Sequence, residues 1–370
     1  MKEPWVRVVK RDEISLARKI WVRVAAILIS LLVCAFFIYA VTRSDPADVY
    51  RSLVNGAVGS SRRSWSTIRD TMILLAVSLA VTPAFKMRFW NIGGEGQILA
   101  GGIITAAFMR YCGDSMPTPL LFLCMIVSSC LAGLIWAVIP GIFKAHWNTN
   151  ETLFTLMMNY IAIQITAFFS IVWEAKKGSG TIGIINQKTK SGWISTSFLS
   201  GLFGKFNYSL NLIIVLALMI FMYIYLKYTK HGYEIAIVGE SENTARYAGI
   251  NVKKVILRTV ALSGAICGFT GFLLVSGSSH TISTSTAGGR GFTAIIVSWL
   301  SKFNPFMMLL ISFFLVFMGN GATQIASEFK LNESASEVIE GIILFFIIGS
   351  EFFVNYKLVF SHSNKKEEAA

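Results

Sequence analysis

Glu95 stands in the stretch Phe89-Trp90-Asn91-Ile92-Gly93-Gly94-Glu95-Gly96-Gln97, between two apolar runs with almost no polar loop around it. A carboxylate set among so much apolar sequence is costly unless it is paired, protonated or solvated. The flanking glycines leave backbone N–H groups available and permit close approach of other chain segments. Two readings follow. Either Glu95 lines a polar path together with Asn91 and Gln97, or it is tied to Lys86, Arg88 or nearby amides and holds the turn. Glu151, Thr155 and Asn159 form a second group, spaced i, i+4, i+8 and so on one helix face. Asn150 suits the N-cap of that helix and Glu151 its positive end. Asn159 lies deeper and is the path candidate of the group. A second glycine cluster, Gly288-Gly289-Arg290-Gly291, gives Arg290 a setting comparable to that of Glu95.

Other chemistries lack their residues. A phosphate loop needs Lys and Ser/Thr after its last glycine, but Gly96 is followed by Gln97-Ile98, and no such motif occurs elsewhere. Any ATP used to drive this chain is therefore expected on another polypeptide. His146, His231, His280 and His362 are scattered, without partners at metal or triad spacing, so an enzyme reading has no constellation behind it. The cysteines Cys34, Cys112, Cys124, Cys130 and Cys267 form no Cys-x-x-Cys pair and read as small packing residues. No metal or other cofactor is expected on this chain.

The elements that must hold these residues are apolar helices. Of 370 residues, 54% are hydrophobic and 14% charged, and the mean hydropathy is +0.61. A soluble domain carries roughly 25% charged residues. The expected class is an all-α polytopic membrane protein. Apolar runs fall at about 24–41, 70–87, 97–110, 118–143, 151–173, 209–228, 255–277, 304–319 and 337–356, with a shorter one at 291–300. That gives about ten membrane-spanning or broken segments. The expected organisation is an N-terminal segment 1–23, one membrane domain 24–356 and a tail 357–370. Basic residues precede the first run, which reads as an uncleaved first helix rather than a signal peptide.

The net charge of +13 reflects loops facing lipid headgroups and the cytoplasm rather than nucleic acid, because no basic stretch carries interleaved aromatics. With both termini inside, the inner segments hold 20 of the 33 Lys and Arg residues, the bias expected of that orientation. The glycine-interrupted junctions at 91–96 and 288–291 read either as matching places in an inverted repeat, 70–173 against 255–356, or as glycines that merely shorten two loops. Between them, 229–254 reads as a cytoplasmic segment. Ser241 can cap a helix over 242–248, and Gly249 can end it. So short a helix needs a partner surface.

At these residues the chain resembles the permease subunits of bacterial ABC importers of the branched-chain amino acid/simple-sugar group, with most likeness to the purine-nucleoside branch. The resembling pieces are Phe89 to Gln97, Ile139-Pro140-Gly141-Ile142-Phe143-Lys144-Ala145 running into Asn148-Thr149-Asn150-Glu151, and Leu156-Met157-Met158-Asn159-Tyr160-Ile161-Ala162. The Gly232-to-Gly249 segment follows, then Gly291-Phe292-Thr293-Ala294-Ile295 leading to Asn304-Pro305. They keep the family's order over about 89–305. The chain departs from the pattern at Ser241-Glu242-Asn243-Thr244-Ala245, at the paired Gly93-Gly94, and at Thr293 in place of an acidic residue.

The resemblance implies a permease in the bacterial cytoplasmic membrane, with both termini cytoplasmic, importing a nucleoside or otherwise a simple sugar. It implies a second permease subunit, often a different chain, an extracytoplasmic solute-binding lipoprotein, and a separate ATP-binding subunit. That ATPase would meet Gly232, Tyr233, Glu234, Gly239, Glu240, Ala245, Arg246, Tyr247, Ala248 and Gly249. The solute path would involve Asn91, Glu95, Gln97, Asn159 and Arg290. The alternative is an ion-coupled secondary transporter, with Glu95 as the coupling carboxylate.

Overall fold

The computed structural model describes residues 6–11, 15–43, 45–194, 209–330 and 333–360. They form thirteen helices and one two-stranded sheet. Each of the ten apolar runs lies in a helix. These are α1 (Leu16–Thr42), α3 (Ser61–Lys86), α4 (Gly94–Cys112), α5 (Thr118–Trp147), α6 (Glu151–Val172) and α7 (Ser209–Tyr228), followed by α10 (Val252–Leu274), α11 (Arg290–Leu300), α12 (Pro305–Glu328) and α13 (Glu333–Asn355). Among the described residues, seven helices are long and apolar enough to cross a membrane. The helices α4 and α13 are not among them, and neither is α11. Its 11 residues rise only about 16 Å, against about 30 Å of hydrocarbon.

Chain contacts divide the protein into two compact units, Met1–Thr67 with Leu315–Ala370, and Ile68–Phe314. In the first, α1 packs along α13. Arg23 pairs with Glu351 at 2.9 Å, and Cys34 faces the Ile339 carbonyl. An amphipathic helix α2 (Pro46–Val58) buries Val49, Leu53 and Ala57, spaced i, i+4, i+8. Its Leu53 closes on Gly321, and Ser52 bonds Glu328. The strands β1 (Val6–Lys10) and β2 (Tyr356–Phe360) pair antiparallel, Val8 opposite Leu358. The segments 6–10 and 356–360 therefore lie side by side.

The second unit is built on α4, α5 and α10. Glycine sets their spacing. A Cβ on Gly268 would strike the Ser129 carbonyl, one on Gly101 would strike Gly268, and one on Gly133 the Gly264 carbonyl. With no side chain between them the backbones touch, the packing by which helices associate where lipid leaves no hydrophobic driving force. The helix α10 runs into a π-helical turn at Val275–Ser279. Both halves of the chain follow one order: a long helix, a glycine-rich junction, a helix starting at that junction, then two long helices. The segment between the halves holds α8 (Lys230–Glu240) and α9 (Glu242–Tyr247).

Candidate functional site: the junction of two broken helices

The two glycine junctions meet. The Glu95 carboxylate, in the first turn of α4, accepts the Gly289 N–H at 2.5 Å and the Gly291 N–H at 3.0 Å. Gly289 is the left-handed residue that opens α11, with φ 72°, a conformation glycine adopts without steric cost. One carboxylate thus holds two of the unpaired amides that begin every helix, at the end where the helix dipole favours negative charge. Gly291 lies so close that a Cβ there would come within 2.6 Å of the Glu95 amide. Lys86 and Arg88 are not the partners of Glu95. Lys86 donates to the Leu226 carbonyl at 3.5 Å.

The polar side chains around this contact hold the first junction in shape. The Asn159 amide spans the break. Its Oδ1 accepts the Gly96 N–H at 2.8 Å, and its Nδ2 donates to the Ile92 carbonyl at 2.9 Å. Asn91 Oδ1 accepts from Gly93 N–H and from Gln97 Nε2, while Asn91 Nδ2 donates to Ser263 Oγ on α10. Thr155 accepts the Ile92 N–H. Asn91, Gln97 and Asn159 are all buried, so the polar atoms expected along a path are engaged within the protein. Lower on the same face, Glu151 pairs with Lys144 at 2.9 Å, and Asn150 caps α6 through the Leu153 N–H.

Arg290 also belongs to this cluster. Its guanidinium lies 3.5 Å from Asp70, which also pairs with Arg69 at 3.1 Å. Asp70 escaped the sequence reading because it sits at the edge of an apolar run with an arginine beside it. Trp90 stacks on Trp299 with centroids 5.6 Å apart and an interplanar angle of 20°, and Phe85 packs edge-on to Trp90. Both tryptophans keep an exposed face. Trp299, more than two hundred residues away, becomes the partner of Trp90 only through the fold.

The α8–α9 segment separates its residues by face. Ser241 caps α9 through the Thr244 N–H at 3.2 Å, and Gly249, at φ 75°, ends it. Ala245 is buried, while Tyr247 is 93% exposed. Tyr233, Glu240, Arg246, Ala248 and Gly249 are exposed with it. Gly232 and Gly239 are buried. Gly239 presses on the backbone of Lys86 and Met87, at the end of α3. Glu234 pairs with Arg258 of α10 at 2.8 Å. The hydrogen bond from that guanidinium holds the Glu234 carboxyl below its ordinary range. A groove of about 500 Å³ opens between α8 and the start of α10, lined by Lys230, Glu234, Asn251 and Lys254 among others.

A polytopic helical protein whose two broken helices meet at a buried polar contact has the architecture of a transport subunit. The chain belongs to the family described as branched-chain amino acid transport system / permease component, whose model matches residues 65–348. It is 26% identical to the glucose ABC transporter permease protein TsgB13 of Haloferax volcanii, over 88% of this chain and 86% of that one. It is 28% identical to the guanosine ABC transporter permease protein NupP of Bacillus subtilis, over 88% and 92%. It is 27% identical to the nucleoside ABC transporter permease protein NupB of Lactococcus lactis, over 95% and 96%.

Proposed function

We propose that this chain is the membrane-spanning permease subunit of an ATP-driven importer for nucleosides, with a simple sugar as the second choice of solute. The observation that carries the reading is mechanical. An exposed short helix, α9, continues from a helix whose Gly239 bears directly on the end of α3, five residues before Asn91 opens the first junction. A motor pushing on α9 moves α8 and, through the Gly239–Lys86 contact, the segment that carries Asn91, Glu95 and Gln97. The relatives over most of the chain, two of them named for nucleosides and one for glucose, support the solute class.

In this reading an ATP-binding subunit docks on Tyr247, Arg246, Ala248, Gly249, Tyr233 and Glu240, and ATP is bound and hydrolysed there. A second permease completes the path, an extracytoplasmic lipoprotein delivers the solute, and the protein sits in the cytoplasmic membrane with both termini inside. Glu95 and Arg290 act as the joint between the broken helices, and Asn91, Gln97 and Asn159 keep the first break in register. Only a docked surface that distinguishes two states of the motor can shift the equilibrium between the two states of the path.

The test is purification from the native membrane with uptake measured alongside. An ATPase chain is expected to accompany the protein, and Tyr247→Ala with Arg246→Ala is expected to release it and stop guanosine uptake. Uptake that survives both ATP depletion and loss of the ATPase sinks the proposal. If Glu95→Gln then abolishes a proton dependence, the ion-coupled alternative takes its place.

A further inference from the structure

Residues 280–289 join the π-helical turn to α11 without forming a helix. They run beside α4. Ile282, buried at 1% exposure, packs at Gly102, where a Cβ would approach its Cδ1 to 3.0 Å. Gly289 is held by Glu95, seven residues back along α4. The helix α4 lies in the chain between two spans. The preceding one, α3, ends against Gly239 of α8. The following one, α5, brings its Gly141 against Val260, in the early part of α10 next to α8 and α9. Both therefore end on the same face, so α4 must cross from that face to the other. The connector thus lies alongside the first half of α4, from its first turn to Gly102, and its His280 end meets Ile185 and Trp193 of the loop after α6.

Irregular backbone at membrane depth is tolerated only where protein buries it or where it lines a water-filled space. Here the inward residues Ile282 and Ala287 are buried, but Thr284, Ser285 and Gly288 are exposed. We propose that this hydroxyl-bearing connector is a wall of the solute path, and that the path is shaped for a neutral, hydroxylated solute rather than a zwitterion. The chemistry is in the residue types. The connector carries Thr281, Ser283, Thr284, Ser285 and Thr286 and no carboxylate; Thr284 and Ser285 are exposed, and Ser283 bonds Ser285 and Thr286. Arg290, at the lower end, is tied to Asp70. Hydroxyls are both donors and acceptors, which suits the hydroxyl groups of a ribose or hexose and offers no free pair of charges to an amino acid. The substrate part of this inference rests on the importer reading, and the location of the path does not.

The test uses the full chain with its partner subunits in membrane vesicles. Thr284→Cys and Ser285→Cys are treated with a membrane-impermeant cationic thiosulfonate, with the unaltered chain giving the background of its native cysteines. Phe168→Cys, on the exposed apolar face of α6, serves as the lipid-facing control. Guanosine uptake before treatment verifies that each variant is assembled. The two connector variants are expected to label and then lose guanosine uptake, while Phe168→Cys does neither. Guanosine and ribose are expected to slow the labelling, and leucine is not. Absence of labelling at both positions, or full uptake after complete labelling, overturns the path. Protection by leucine equal to that by guanosine overturns the solute class. Labelling needs no ATP, so failure of the importer reading shows separately, as uptake indifferent to ATP depletion.

Discussion

At the residue scale the decisive contact is Glu95 with the amides of Gly289 and Gly291. The cost of a carboxylate in this setting was legible in the sequence, and so was a tie to amides as one way of meeting it. The identity of the amides was not, because they lie almost two hundred residues away, and a glycine cluster carries no mark of its partner. Asn159 shows the same limit. Its helix face followed from the i, i+4, i+8 spacing with Glu151, but its two bonds across the α4 break depend on where α4 lies. The geometry yields a prediction. Glu95→Ala leaves the buried Gly291 amide and the half-buried Gly289 amide unmet and is expected to cost about 1–3 kcal/mol, read as a lower unfolding midpoint of the purified protein. Glu95→Gln keeps an acceptor oxygen and is expected to recover part of that loss. Equal midpoints for the parent and Glu95→Ala would show that the contact does not hold the helices together.

At the element scale, composition revealed every long helix, because runs of apolar residues near the length of a bilayer have few other destinations. It missed four elements, each for a physical reason. The helix α2, with 13 residues, is too short to span and shows only a narrow stripe of Val49, Leu53 and Ala57. The strands β1 and β2 are single five-residue segments that become structure only by finding each other across the whole chain. The helix α8 contains Gly232 and Gly239, poor helix formers by propensity. Both pay for that by close packing, Gly232 on the Tyr225 and Leu226 carbonyls and Gly239 on Lys86. The helix triad of α4, α5 and α10 gives the sharpest test at this scale. Gly268→Val places a side chain against the Ser129 carbonyl and the Gly133 backbone, and overpacking of this kind costs about 1–3 kcal/mol. It is expected to reduce folded protein recovered in detergent, whereas Gly341→Ala, with nothing within 4 Å of its new Cβ, leaves the yield unchanged. Similar yields for both variants would mean that the helices adjust their spacing freely.

At the scale of the whole molecule, the importer proposed above would have the surface that receives force set apart from the contact that responds to it. The exposed residues of α9 can bind a motor without touching the junction of α4 and α11. In that proposal the motion passes through α8, which is anchored to α10 by Glu234–Arg258 and braced on α3 by Gly239. These two anchors differ in kind. The ion pair is held by hydrogen bonding and tolerates small displacements, while the glycine contact is backbone against backbone and transmits a push without slack. Gly239→Val is therefore expected to wedge α8 away from Lys86 and leave Tyr247 and Arg246 free to bind the ATPase. The complex should still purify intact and hydrolyse ATP, while solute uptake per hydrolysed ATP falls by roughly 5- to 150-fold, the span of an ordinary coupling free energy. Arg258→Lys, which keeps the charge but loses the planar fork, should give a smaller loss. If Gly239→Val lowers uptake only in proportion to the amount of complex in the membrane, force reaches the broken helices by another route, and the contact between α8 and α3 serves only to seat the cytoplasmic segment.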